Sequence, residues 1–205
     1  MLEGRAVGVM GANCYLFACD RTKQGVLIDP GAEGQRIYNW VKQKGIQVKY
    51  ILLTHGHVDH IGAVDELREL TGAKVGIHLL DAEMLTDGRQ NLSSYFGPAL
   101  VLQPADLLLQ DGQVITVGEE TITVIATPGH SRGSVCLLTS HGVVSGDTLF
   151  AGSIGRTDFP GGSLEQLLQG VEEKLMVLPD VTGVFPGHGE ETTVGRERRE
   201  NPFLP

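Results

Sequence analysis

The sequence predicts a single-domain α/β protein in which two mixed sheets pack face to face with helices outside, a four-layer αββα sandwich. Three observations lead there. At 205 residues the chain can bury one sizeable core but hardly two. Strand-like runs occur in both halves, and stretches of helical periodicity are interspersed among them. Its 28 glycines exceed the usual share of about 7% and imply short elements joined by many tight turns.

Residues 5–10, 13–18 and 25–29 form the expected opening meander of antiparallel strands. Ile37, Trp40 and Val41 then recur at helical spacing over 34–44, with Gly45 as the stop. Residues 48–53 are a continuous apolar run, as in a strand buried on both faces. Over 61–70, Ile61, Val64, Leu67 and Leu70 predict a second crossover helix, with Asp65 and Glu66 favoured in its early turns by the helix dipole. A strand over 74–78, a short helix over 82–85 and an irregular polar stretch over 87–98 follow. The second half repeats the alternation, with strands near 113–117, 121–126, 134–139 and 142–145, a helix over 163–177 and a strand over 181–185. No linker or repeat divides the chain, so residues 1–205 are expected to be one domain.

Composition excludes several classes of function. The net charge of −9 has the wrong sign for tracking a phosphate backbone, so nucleic acid is not an expected partner. The basic residues Arg196 to Arg199 are diluted by Glu190, Glu191, Glu197 and Glu200 and read as a solvated, mixed-charge end. Cys14, Cys19 and Cys136 are too few and too unevenly spaced for a disulfide framework, and each reads as a small buried hydrophobe in a reducing compartment. No run approaches the ~18 apolar residues of a membrane span, so the expected location is the cytoplasm.

The chemistry is concentrated where four apolar runs each end in candidate metal ligands beside a glycine. The run 51–54 leads into His55, His57, Asp59 and His60; 124–126 leads to His130; 143–146 ends in Asp147; and 184–187 ends in His188. Sites in α/β sheets lie beyond strand ends, which places these residues on one rim. Imidazoles and carboxylates without thiolates suit a working site for Zn, Fe, Mn or Co rather than a closed structural zinc. Five His and two Asp exceed what one tetrahedral ion uses, so a pair of ions sharing a bridging carboxylate is expected. His78 and His141 stand alone and read as ordinary surface or core histidines.

The motifs THGHVDH, TPGHS, SGDTLF and FPGHG together resemble the metallo-β-lactamase-fold hydrolases along nearly the whole chain. AGSIGRTDFPGGS and PGHGEETTVGRERRENPF are similar to the compact glyoxalase-II-like branch, which lacks an added C-terminal helical domain. The resemblance implies His55, His57 and His130 on a first ion, Asp59, His60 and His188 on a second, and Asp147 bridging them. The ions implied are two divalent metals, zinc first, with iron or manganese as alternatives. The implied reaction is hydrolysis of a thioester such as S-lactoylglutathione by a metal-bridging hydroxide that Asp59 orients. Arg156 falls near a basic residue that grips the glutathione carboxylate in such enzymes; the alternative is an arginine that pins its loop. Asp29 resembles a family Asp that supports a ligand histidine. Tyr95 and Phe96 read as loop anchors rather than a lid.

The rival from another class is a persulfide dioxygenase of the same fold. It would hold a single iron on His55, His130 and Asp147, a facial triad, and tends toward alanine in place of Gly187. A nuclease of the superfamily is disfavoured by the acidity and by the lack of an inserted domain. A non-catalytic scaffold is disfavoured by the complete ligand set.

Overall fold

Successive side chains of an extended segment leave opposite faces, and Ala12–Ala18 buries both. Cys14, Leu16 and Ala18 enter one apolar cluster, and Tyr15 and Phe17 enter another. The same division runs through the computed structural model, which describes residues 1–204.

The first of two six-stranded sheets consists of β1 (Leu2–Val7), β2 (Ala12–Ala18), β3 (Gln24–Ile28), β4 (Gln47–Leu52), β5 (Lys74–His78) and β6 (Leu107–Leu109), neighbours in that order. β1 to β3 form the expected antiparallel meander, and β3 to β6 run parallel. In the second half lie β7 (Val114–Val117), β8 (Glu120–Ala126), β9 (Val135–Thr139), β10 (Gly142–Gly146), the small hairpin β11 (Leu149–Phe150) and β12 (Ser153–Ile154), β13 (Gly183–Pro186) and β14 (Thr192–Thr193). The second large sheet has the order β14-β13-β10-β9-β8-β7.

Outside the first sheet lie α1 (Gly34–Gln43), α2 (Val58–Ile61) and α3 (Val64–Thr71). Outside the second lie α4 (Leu164–Gly170), extended by a π-helical turn over Val171–Leu175, and α5 (Val194–Glu200). Each interface between layers has its own core. Ile37, Trp40, Val64 and Leu67 cover Leu27 and Ile51 of the first sheet. Phe17, Ile28 and Leu52 meet Ile122, Val124 and Leu137 between the sheets, while Leu167 and Val171 cover Cys136 and Val143. Burying such a Leu, Ile or Phe contributes about 1.5–3 kcal/mol each. The result is the expected four-layer αββα sandwich. Among the described residues no helix is long and apolar enough to cross a membrane.

Four local expectations are corrected. The first strand runs from residue 2 to 7 rather than 5 to 10, because Gly8 and Gly11 take positive φ and close the turn to β2. The helix expected over 61–70 is two helices. The chain breaks at Gly62, where a Cβ would strike the Gly31 carbonyl, and the Ala63 amide turns to donate to the Pro30 carbonyl at 2.9 Å. The polar stretch before Leu107 leads into a sixth strand that sequence reading did not anticipate. The C-terminal charged segment is a docked helix rather than a wholly solvated end. Thr193 caps it, and Glu197 is buried, accepting from Thr192 Oγ1 at 2.6 Å and Asn201 Nδ2 at 2.8 Å.

Candidate metal centre

The predicted ligands follow strands that end together. β9 is antiparallel to both β8 and β10, and β13 is parallel to β10, so β8, β10 and β13 all point to one edge. There they deliver His130, Asp147 and His188, while β4 of the other sheet delivers His55 to His60. Hydrogen bonds stitch the two sheets along this rim. Asn13 N donates to Gly187 O at 2.7 Å, Tyr15 Oη to Pro186 O at 2.7 Å and Val135 N to Thr54 O at 2.8 Å.

Two clusters result. In the first, His57 Nδ1 lies 2.9 Å and His55 Nε2 3.3 Å from His130 Nε2. In the second, His188 Nε2 lies 3.1 Å and His60 Nε2 3.7 Å from Asp59 Oδ2. Asp147 stands between them, with Oδ1 3.4 Å from His60 Nε2 and Oδ2 3.6 Å from His130 Nε2. All seven predicted residues therefore gather in two adjoining groups, and Asp147 is the carboxylate that would serve ions held on both. His78 and His141 are elsewhere, as expected of bystanders: His78 Nδ1 accepts from Leu80 N, and the His141 ring lies against Phe17.

Neighbouring groups aim the imidazoles. Asp29 Oδ2 accepts from Thr54 Oγ1 at 2.5 Å, so Thr54 Oγ1 in turn accepts from His55 Nδ1 at 3.1 Å. His60 Nδ1 donates to Asp29 Oδ2 at 3.1 Å, and His130 Nδ1 to the Arg156 carbonyl at 2.8 Å. In all three rings Nε2 is left facing the cluster. Burial, reinforced by the neighbouring histidines, keeps His55 neutral and holds His57 down to about 3; burial also lowers His130. Burial alone would raise the Asp147 carboxyl, but the His60 imidazole outweighs it and holds the group ionised. His55, His57 and His130 are thus in the neutral donor state that metal binding requires, whereas Asp147 raises His60 against its burial and the hydrogen bond with Asp59 raises His188, so those two would release a proton on binding an ion.

The residues fit a pair of ions. His60 Nε2 and Asp147 Oδ1 are buried with no hydrogen-bond partner, a costly state unless a cation satisfies them. Beside them the backbone of Gly187 approaches too closely to carry a side chain. A Cβ there would lie 2.8 Å from His60 Cε1 and press into Asp147 Oδ1.

Comparison with known proteins agrees with this geometry. A family model of the metallo-β-lactamase superfamily matches residues 7–188. The chain belongs to that superfamily. It is 43% identical over 201 residues to the probable metallo-hydrolase YqgX of Bacillus subtilis, covering 97% of this chain and 94% of that protein. It is 34% identical over 196 residues to the hydroxyacylglutathione hydrolase GloC of Haemophilus influenzae, covering 94% and 92%. The crystal structure of the BLEG-1 B3 metallo-β-lactamase superposes with a TM-score of 0.95 at 39% identity, covering 100% of this chain and 99% of that one. The protein is a metal-dependent hydrolase of this superfamily.

Two buried carboxylates support the hydrolase centre from behind. Asp29, with φ 50°, takes Thr54 N at 2.8 Å as well as the Thr54 hydroxyl and His60. This matches its expected role behind a ligand histidine. Asp81 was not singled out by sequence reasoning. It accepts from Ser131 Oγ at 2.6 Å and Gly133 N at 2.7 Å. It thereby braces the loop that carries His130. Asp81→Asn is expected to weaken metal binding at the His55, His57 and His130 cluster by about 10–100-fold. Competition with a chromophoric chelator measures this, and an unchanged titration would show that the brace is dispensable.

The centre opens into a cavity of about 410 Å³ whose walls include Met10, Leu92, Phe96, Arg156 and Phe159. Arg156 lines it, but its guanidinium fork is occupied by Asp158, with Nε–Oδ1 and Nη2–Oδ2 both 2.7 Å. Tyr95 and Phe96 are not the anchors expected of them, being 72% and 67% exposed. Asn91 anchors their loop instead. Its Nδ2 donates to Met84 O at 2.8 Å and Leu100 O at 3.0 Å.

Proposed function

We propose that the protein hydrolyses thioesters, with S-lactoylglutathione or a similar hydroxyacyl-glutathione as the reference substrate. The observation that carries this reading is the second group of donors, Asp59, His60 and His188, beside which His60 Nε2 and Asp147 Oδ1 are buried without a hydrogen-bond partner among the described residues. They could hold the second ion that a one-iron dioxygenase does without. Two ions held on these clusters would supply Lewis acidity for the carbonyl oxygen and lower the pKa of an attacking water toward neutrality. The family relationship to a hydroxyacylglutathione hydrolase supports the thioester.

The protein's own residues position the reactants. Asp59, whose Oδ2 lies 3.1 Å from His188 Nε2, is the carboxylate that orients the attacking water and takes up its proton. Burial works against ionisation of Asp59, but the hydrogen bond from His188 wins and keeps it a carboxylate able to accept. The carbon–sulfur bond breaks, the thiolate leaves through the open mouth, and the acid product remains to be released.

The test is steady-state assay of a small thioester panel on protein of measured metal content. A β-lactam belongs in the panel, because BLEG-1 is described as a B3 metallo-β-lactamase and ring opening is also attack on an acyl carbonyl. Asp59→Asn is expected to lower thioester kcat by about 10²–10⁴-fold, the usual worth of a positioned proton acceptor. Robust oxygen uptake with glutathione persulfide, and no thioester turnover, would replace this reading with the dioxygenase.

A further inference from the structure

The geometry points to an apolar acyl pocket: this hydrolase is built for thioesters whose acyl group is a hydrocarbon chain or ring, rather than a small hydroxyacyl such as lactoyl. The inference rests on the thioester reading above and replaces its reference acyl group, a hydroxyacyl, with an apolar one.

The cavity floor is polar, with His57, Asp59, His130, Asp147 and His188. Its walls are not. Met10 comes from the β1–β2 turn, Leu92 and Phe96 from the 87–98 loop, Phe150 and Ile154 from the β11–β12 hairpin and Phe159 from the loop after it. Separate segments thus bring large apolar side chains to one mouth. Phe96 is 67% and Met10 44% exposed, and apolar surface gathered around a cleft marks a place that something apolar covers.

The wall is held in place. Leu92 adopts φ 69°, a conformation that a non-glycine residue keeps only where its surroundings enforce it. Asn91 enforces it, gripping Met84 O and Leu100 O with its amide and accepting from Ser93 N at 3.0 Å. The Asn91 carbonyl accepts from Val58 N at 2.9 Å, which fastens the loop to the helix that carries Asp59 and His60. The wall and the reacting centre therefore keep a fixed relation.

Charge on the wall points the same way. Among the described residues, Arg156 is the one Arg or Lys lining the cavity; it is paired with Asp158, and its guanidinium lies 4.0 Å over the Phe159 ring. Ser153 is the one hydroxyl-bearing residue among the described residues of the lining. A carboxylate or hydroxyl on the acyl group would thus meet few partners. The exposed Arg156–Asp158 pair forms a polar edge that suits the thiol half instead.

The test is kcat/KM for acetyl, lactoyl, butyryl, hexanoyl and benzoyl thioesters of one thiol on metal-loaded protein. About fourfold gain per methylene is expected from acetyl to hexanoyl, the ratio that 0.8 kcal/mol per buried CH₂ gives. Hexanoyl is expected to exceed lactoyl by more than tenfold. Phe96→Ala is expected to flatten the series by raising KM for hexanoyl, and Phe96→Leu to restore it. A flat series, or a preference for lactoyl, overturns the proposal. Dissociation constants for hexanoate and lactate, measured by calorimetry, read the pocket without turnover. Tighter hexanoate supports it even if no thioester is cleaved, in which case the thioester reading alone fails; equal or weaker hexanoate overturns it.

Discussion

Gly187→Ala is expected to reduce bound metal from two equivalents to one per chain and to lower thioester turnover steeply. The new methyl group would press into Asp147 Oδ1 and sit 2.8 Å from His60 Cε1, where the second cluster and the bridging carboxylate meet. Asp147 cannot retreat freely, being largely buried beside His60 and His130. The ring of His60 is held from behind by Asp29. The cluster of His55, His57 and His130 lies apart from the clash and should keep its ion. Losing several kcal/mol of charge stabilisation corresponds to about 10²–10³-fold in rate. Metal analysis after dialysis, alongside the thioester assay, measures both. Two retained equivalents with unimpaired turnover would sink the assignment of a second ion to His60 and Asp147.

The second large effect is expected at Asp29. Asp29→Asn keeps the volume but removes an acceptor from a buried carboxylate that serves Thr54 N, Thr54 Oγ1 and His60 Nδ1 at once. An amide placed there must point a donor at a donor. The cost is about 2–4 kcal/mol, or a fall in melting temperature of roughly 5–15 °C for a chain of this size. The measurement is made on metal-stripped protein, so that folding is read apart from metal binding. On the metal-loaded protein the same variant should also lose affinity for the second ion, because nothing then fixes which nitrogen of His60 carries the proton. A melting temperature within a degree of wild type would show that Thr54 and His60 find other partners.

Much of the fold could be read from local pattern because each layer repeats a short period. The alternation of Cys14, Tyr15, Leu16 and Phe17 divides two cores within one strand, and Lys74–His78 was placed with its observed ends. What escaped was stabilised from far along the chain. Leu107–Leu109 is too short to signal a strand, and it is one because β5 pairs with it. Helix α5 looked like a solvated charge run because its buried face includes Glu197, which accepts from the Gly152 amide 45 residues away. Asp81 gave no sign of its role because Ser131 and Gly133 follow it by 50 and 52 residues.

The sequence by itself determined the four-layer architecture and the set of seven metal-binding candidates, because strand periodicity, strand-end position and ligand type are all properties of a few neighbouring residues. Tertiary structure alone decided how those candidates divide into two clusters about Asp147, and that the Gly187 backbone packs against His60 and Asp147. It alone showed Arg156 closed onto Asp158 and Phe96 turned out to the cavity mouth. Those features depend on distances between segments far apart in the chain, which residue spacing does not encode.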